Sequence, residues 1–182
     1  MSVNPEILQK AKSIKAIFFD VDGVLTDGGI IYDNSGQEYK RFNVKDGQII
    51  KYLRKSGIIT GVITGRDSRV VRNRCEELKV DVHKHGIHNK QEVFEDLLLE
   101  QGLTANEVAY IGDDINDLPV LVKCGLSATP SDGHRAVREN VDIVLYARGG
   151  EGALRELADL ILDAQGLYNK IIEKLKSADG EV

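Results

Sequence analysis

Short, nearly continuous apolar runs, each followed by a longer stretch of helical period, constrain this chain most. The runs are residues 14–19, 58–63, 80–82, 108–111 and 141–145. Each is too short for a stable helix and rich in Ile or Val, so each reads as a strand. Several lack the alternation of a strand with one wet face. Apolar side chains on both sides belong to strands covered on both faces, as in a parallel sheet. The stretches between them supply the covering helices. Asp46 is placed to cap one that carries Ile49, Ile50 and Leu53 on a single face. Asp67 or Ser68 caps a second, with Val70, Val71, Cys75 and Leu78 inward. Residues 89–100 form a third, burying Val93, Phe94, Leu97 and Leu98, and residues 115–123 a short fourth. Residues 152–164 form another, which 167–176 extend after Gly166. Strands alternating with helices imply right-handed βαβ units and an α/β fold with a Rossmann-like parallel sheet.

One stretch breaks the alternation. Residues 29–43 read as two extended pieces around a turn at Asn34, Ser35 and Gly36, a β-hairpin projecting from the sheet. There is no repeat or low-complexity linker, so a single domain over residues 1–182 is expected, with a frayed SADGEV tail. Composition excludes several function classes. A net charge of -5 is not the basic excess of a general nucleic-acid binder. No apolar run approaches the ~20 residues that cross a bilayer, and the first fifteen residues lack a signal-peptide pattern. The 2 cysteines, Cys75 and Cys124, make no disulfide framework and read as packing residues of a cytoplasmic protein.

Open α/β sheets bind ligands at the carboxyl ends of their strands. Asp20-Val21-Asp22-Gly23 follows the first run, Thr64-Gly65-Arg66 the second, and Gly112-Asp113-Asp114 with Asp117 the fourth. Lys90 opens a helix. Carboxylate oxygens of this kind suit Mg²⁺. A carboxylate facing phosphorus can attack it and carry the phosphoryl group. A second, two residues on, can protonate the leaving oxygen and then activate water. A Thr hydroxyl, a Gly amide and a Lys can cradle the phosphoryl oxygens. A lone acidic pair would say little; the full ordered set is specific.

In that set, over nearly its whole length, the chain resembles the haloacid dehalogenase superfamily of phosphatases. The resemblance makes Asp20 the nucleophile and Asp22 the general acid and base. It makes Thr64 and Lys90 the phosphate-holding pair. It gives Mg²⁺ to the Asp20 side chain, the Asp22 carbonyl and Asp113, with Asp114 and Asp117 in support. Such proteins usually carry a cap domain. Here the segment from Asp22 to Thr64 holds only the hairpin and one helix, and that from Thr64 to Lys90 only one helix and one strand. The stretches DVDGVLTDG, GQEYKRFNVKDG, ITGRDSRVVRNRCEEL, AYIGDDINDLPVL and GGEGALRELADLILDAQG resemble the capless subfamily acting on 3-deoxy-D-manno-octulosonate 8-phosphate. That likeness implies lipopolysaccharide biosynthesis and a homotetramer whose neighbouring subunits close each other's sites. The exposed hairpin residues Ile30, Ile31, Tyr32, Tyr39 and Phe42 would find their partners there. The 148–150 segment or the C-terminal tail would approach a neighbouring site.

The substrate carries a carboxylate besides its phosphate. Lys40, Arg41, Lys45, Arg66, Arg69 and Arg72 gather near the strand ends as an anion field, although Lys40 and Arg41 equally suit a solvated hairpin edge. With Thr64, Gly65 and Lys90, Arg66 is the substrate-binding candidate, because guanidinium grips an anion bidentately. In sister phosphatases of nine-carbon keto-sugar acid 9-phosphates (KDN or N-acylneuraminate 9-phosphate), a Glu tends to follow the Thr-Gly pair. Arg66 therefore favours the eight-carbon substrate. A non-catalytic module of the same fold would often have lost catalytic residues, and here all are present. A receiver domain uses similar groups in a different chain order. The subfamily more often has a Gln-Gly pair where this chain has His85-Gly86. With no Cys or further His at the spacing of a structural zinc site, His83, His85 and His88 read as surface histidines.

Overall fold

The computed structural model describes residues 4–177; the expectation about the SADGEV tail falls largely outside them. In chain order the first half runs α1 (Pro5–Lys12), β1 (Ala16–Phe19), β2 (Ile31–Tyr32), β3 (Glu38–Tyr39), α2 (Val44–Lys55), β4 (Ile59–Ile63), α3 (Arg69–Leu78), β5 (Val82–Lys84) and α4 (Lys90–Gln101). The second half runs β6 (Val108–Ile111), α5 (Leu118–Leu121), β7 (Leu126–Thr129), α6 (Arg135–Arg138), β8 (Ile143–Val144), α7 (Ala153–Ala164) and α8 (Tyr168–Lys176). Six strands form a parallel sheet in the order β5-β4-β1-β6-β7-β8, and β2 pairs antiparallel with β3. The chain builds outward from β1 to β5, then returns to β6 on the other side. That reversal places the topological switch beside β1, where such sheets bind ligands.

Successive side chains of β1 point to opposite faces, and all are buried. Ile17 and Phe19 join the cluster under α1, α2, α3 and α7. Ala16 and Phe18 join the cluster under α4 and α5, where Phe18 meets Phe94 edge to face. Both faces are apolar because both are covered, as the continuous runs imply. No cap domain overlies the strand ends among the described residues.

Four strand starts differ from expectation, β8 beginning at Ile143, and at two of them the first apolar residue closes the preceding helix. Ile58 donates its N–H to the Leu53 carbonyl after Gly57, whose φ is 78°. Val80 does the same to Cys75 after Lys79, at φ 55°. Both close the preceding helix in a Schellman-type cap, whose last apolar residue packs back on the helix. So β4 starts at Ile59 and β5 shifts to Val82–Lys84. Ile14 likewise turns back to Ala11. The 115–123 helix is split into a 3₁₀ turn at Ile115–Asp117 and α5, where Pro119 is tolerated in the first turn.

Asp46 does not cap α2. Asn43 does, accepting from Lys45 N at 2.9 Å. Asp46 is buried one turn further on and accepts from Gly152 N (3.1 Å) and Arg155 N (2.8 Å), so it caps α7 and ties it to α2. Phe42 also departs from expectation: it packs on the core with Arg74 over its ring, while Ile30, Ile31, Tyr32 and Tyr39 stay more than half exposed. Segment 148–150 is held by its own chain, with Gly150 N on the Val24 carbonyl at 2.9 Å and Arg148 on Asp132 at 3.3 Å.

Candidate active site

The expected residues meet at the carboxyl ends of β1, β4 and β6. Asp20, Asp22, Gly28, Thr64, Gly65, Arg66, Asp113, Asp114 and Asn116 line an open cleft of about 260 Å³. Asp20 leaves β1 with its amide on the Ile111 carbonyl (3.1 Å), so β6 fixes the start of the loop. Its Oδ1 accepts from Val21 N at 2.6 Å and its Oδ2 from Lys90 Nζ at 2.5 Å. Lys90, the first residue of α4, also reaches Asp117 Oδ1 at 2.7 Å. All three side chains are buried.

Asp117 organises the β6 loop. Oδ1 also accepts from the buried Tyr110 hydroxyl (2.7 Å), and Oδ2 from Asp113 N (3.1 Å) and Asp114 N (3.3 Å). Four donors saturate its carboxylate. Asp20, Asp113 and Asp117 each bring an oxygen within 4.8 Å of the other two. Asp117 is nevertheless spent on hydrogen bonds, so it supports the set rather than holding a cation. Asp114 is exposed and caps the 3₁₀ turn through Ile115 N at 2.7 Å.

Asp113 is the opposite case. Its carboxylate has no hydrogen-bond or ion-pair partner among the described residues, and burial, then the charges of Asp20, Asp117 and Asp114, push it up to about 7. Burial, opposed by Lys90 and helped by Asp117, lifts Asp20 to about 6. Burial pulls Lys90 down, but Asp20 and Asp117 outweigh it and raise the ammonium above its ordinary value. Carboxylates raised by mutual charge are what a hard divalent cation relieves. The Asp22 carbonyl accepts no hydrogen bond from the described backbone, and Gly23 keeps the space open. A Cβ on Gly23 would lie 2.0 Å from Asp113 Oδ2, and its φ of 83° already favours glycine. The donors fit Mg²⁺ at the Asp20 side chain, the Asp22 carbonyl and Asp113.

Asp22 faces two cations. Lys40 Nζ hydrogen bonds to it, and Arg66 Nε stands 3.7 Å away. The Thr26 hydroxyl is 3.4 Å from the same carboxylate. Arg66 also donates to the Tyr32 hydroxyl (2.8 Å) and to Glu38 (3.2 Å), while Ser68 bonds to Glu38. The hairpin thus reaches its own chain's site through Tyr32, Glu38 and Lys40. The Lys40 side chain is wholly buried against Asp22 rather than lying on a solvated edge. Thr64 is buried with its hydroxyl free of partners among the described residues, ready for a ligand.

The rest of the expected anion field disperses. Arg41 pairs with Asp27 and Arg72 with Asp67, and neither they nor Lys45 and Arg69 line the cleft. The sequence reading missed Glu38, Ser68 and Asn116. Only the hairpin's fold-back brings the first near Ser68. It also misjudged the histidines: His83 and His85 are half buried, in contact with each other, and near Cys75, whereas His88 is exposed.

An α/β sheet with this strand-end set is the architecture of a haloacid dehalogenase-like hydrolase, and the sequence model of that family matches residues 43–125. The 3-deoxy-D-manno-octulosonate 8-phosphate phosphatase of Salmonella typhimurium is 41% identical over 179 residues, covering 98% of this chain and 92% of the relative. The Haemophilus influenzae phosphatase of the same name is 44% identical over 87% of this chain and 88% of its own. A Moraxella catarrhalis structure, a 3-deoxy-D-manno-octulosonate 8-phosphate phosphatase in complex with magnesium, phosphate and KDO, has a TM-score of 0.92 at 39% identity, covering 94% of this chain and 98% of that one. The chain belongs to the 3-deoxy-D-manno-octulosonate 8-phosphate phosphatase family of the haloacid dehalogenase-like hydrolases.

Proposed function

We propose that this chain hydrolyses 3-deoxy-D-manno-octulosonate 8-phosphate to 3-deoxy-D-manno-octulosonate (KDO) and inorganic phosphate, as a Mg²⁺-dependent phosphoric monoester hydrolase of lipopolysaccharide biosynthesis. The observation that carries the reading is the junction of Asp20, Asp22, Thr64, Lys90 and Asp113 at the carboxyl ends of the central strands, in a chain aligned over 98% of its length with a phosphatase of that substrate. Asp20 attacks phosphorus; its oxygen forms the new P–O bond as the ester bond to the sugar breaks. Asp22 gives the leaving sugar oxygen a proton, then takes one from the water that cleaves the aspartyl phosphate. Thr64, the Gly65 amide and Lys90 hold the phosphoryl oxygens, and Lys90 keeps Asp20 ionised. When bound, Mg²⁺ neutralises charge building on the phosphoryl group.

Arg66, at the cleft wall, takes an anionic group of the substrate, and Lys40 beside it lends a second charge. The eight-carbon substrate follows from the relatives and from Arg66, over a nine-carbon acid. Hairpin residues with no core of their own support a homotetramer that closes the open cleft. No described helix is long and apolar enough to cross a membrane, and both cysteines are free, which supports a cytoplasmic enzyme. Phosphate release from eight- and nine-carbon keto-sugar acid phosphates with Mg²⁺, run beside Asp20→Asn, tests the reading. We expect the eight-carbon ester to turn over fastest and the variant to lose activity by several orders of magnitude. Equal turnover in the variant overturns the nucleophile, and a preference for nine carbons overturns the substrate.

A further inference from the structure

A second group of metal-ligating side chains lies away from the carboxylate centre. Cys75 sits in the last turns of α3, His83 on β5, and His85 in the loop that leaves β5. Far apart for a local motif, they are brought together by the crossover from α3 to β5. One ligand atom from each lies within 4.8 Å of the other two. His83 Nδ1 and His85 Nε2 are 2.9 Å apart, with the rings edge to face. The other nitrogen of His85, Nδ1, is buried without any hydrogen-bond partner. Cys75 is 2% exposed.

We propose that Cys75, His83 and His85 form a binding site for a soft or borderline transition-metal ion of the Zn²⁺ class, separate from the Mg²⁺ centre. One thiolate and two imidazoles select such ions over Mg²⁺, which takes oxygen donors. With Zn–S near 2.3 Å and Zn–N near 2.0–2.1 Å, tetrahedral edges are about 3.3–3.7 Å. Small rotamer changes bring the three atoms to that spacing, and water completes the fourth position. His85 is held neutral by burial, then by Arg72 and His83, and a neutral imidazole is the ligating form. Burial pushes the free Cys75 thiol up to about 11, so binding exchanges its proton for the ion and releases that proton to solvent. The neighbouring Arg72 guanidinium is paired with Asp67 at 2.7 Å, which offsets its repulsion of a cation. An ion here would pin α3 to β5 behind the loop that carries Arg66.

Cobalt(II) is the probe, titrated into the full-length protein with Mg²⁺ in excess to fill the carboxylate site. A cobalt–thiolate charge-transfer absorption saturating at one equivalent is expected, displaced by Zn²⁺, with a higher melting temperature in Zn²⁺. Cys75→Ser should abolish the absorption. Because Cys75 is in the core, the variant pair His83→Leu with His85→Gln provides the second arm: it keeps the thiol, and cobalt affinity should fall at least tenfold with the fold intact by circular dichroism. Asp113→Asn should leave the absorption unchanged. No thiolate absorption in the wild type, its persistence in Cys75→Ser, or undiminished affinity in the histidine pair variant would each overturn the site. None of these results bears on sugar-phosphate turnover, so the two proposals fail separately.

Discussion

Lys90→Met separates the electrostatics of the site from its shape. Met is close in volume to the lysine stem, so the cavity stays filled while the charge goes. Lys90 Nζ is 2.5 Å from Asp20 and 2.7 Å from Asp117, and all three side chains are almost wholly excluded from water. Without the cation, two buried carboxylates face one another. Breaking a buried pair by removing one partner costs about 3–5 kcal/mol. In a domain of this size that is a fall in Tm of about 6–20 °C. The sign with pH follows from Asp20, which burial already lifts from 3.8 to about 6. Losing Lys90 lifts it further. A carboxyl group raised in the folded state ionises first in the unfolded state, so rising pH favours unfolding. The deficit relative to wild type should therefore be largest above pH 7 and shrink as pH falls toward 3.8. Urea unfolding without Mg²⁺ at pH 5 and pH 7.5 measures it. A loss below about 1 kcal/mol at pH 7.5, or a deficit that does not shrink in acid, refutes the coupled-triad account.

Other expectations follow from the same geometry. Arg66→Ala should raise KM for the sugar phosphate more than it lowers kcat, because Arg66 lines the cleft without taking part in bond making; an unchanged KM removes that role. Asp46→Ala should cost about 1–2 kcal/mol through the lost α7 cap, read by chemical denaturation. Burial lifts the Asp46 carboxyl to about 6 against the pull of the α7 amides, so this group makes stability fall with rising pH between 3.8 and about 6. Asp46→Asn should remove that slope, and an unchanged slope would remove Asp46 as its source. Sedimentation at micromolar concentration should find a tetramer; shortening the hairpin at residues 31–39 should give a weakly active monomer, whereas a fully active wild-type monomer of 20.1 kDa would exclude shared sites.

The sheet was legible because its strands are buried on both faces. Phe18 and Phe19 point opposite ways yet are equally dry, which is why the first run is apolar without alternation. β7 escaped notice for a related reason. Leu126, Ser127, Ala128 and Thr129 are buried, but two are polar and none is β-branched aliphatic. The Ser127 hydroxyl is usable because the fold brings it a partner, Asp142 at 3.1 Å, whereas the Thr129 hydroxyl is buried with no hydrogen-bond partner among the described residues. A pattern read from hydrophobicity cannot see a fully buried strand in which every second side chain is polar. α1 was passed over because its signals, Asn4 as cap and Pro5 in the first turn, sit before only two turns of helix.

The site divides along the same line. Asp20, Thr64 and Asp113 were legible because each lies within two residues of a strand's end, which fixes where the next side chains go. Asp117 was legible only as an acid: that its charge is spent on Lys90, Tyr110 and two amides depends on the curl of the Asp113–Asp117 turn. Lys40 was harder still. Nothing in GQEYKRFN says which of two adjacent cations turns inward. The hairpin alternates sides, so Lys40 goes to Asp22 and Arg41 to the exposed Asp27. Moving the register by one residue would exchange them. The choice is made by Glu38, two residues before Lys40 and on the same side, which is held by Ser68 and Arg66. The hairpin is thus locked to the loop after β4, and through it the position of Lys40 depends on Arg66. Glu38→Gln should therefore weaken the effect of Lys40→Met on kcat, giving a non-additive double-mutant cycle. Strict additivity would mean that the hairpin finds its place without Glu38.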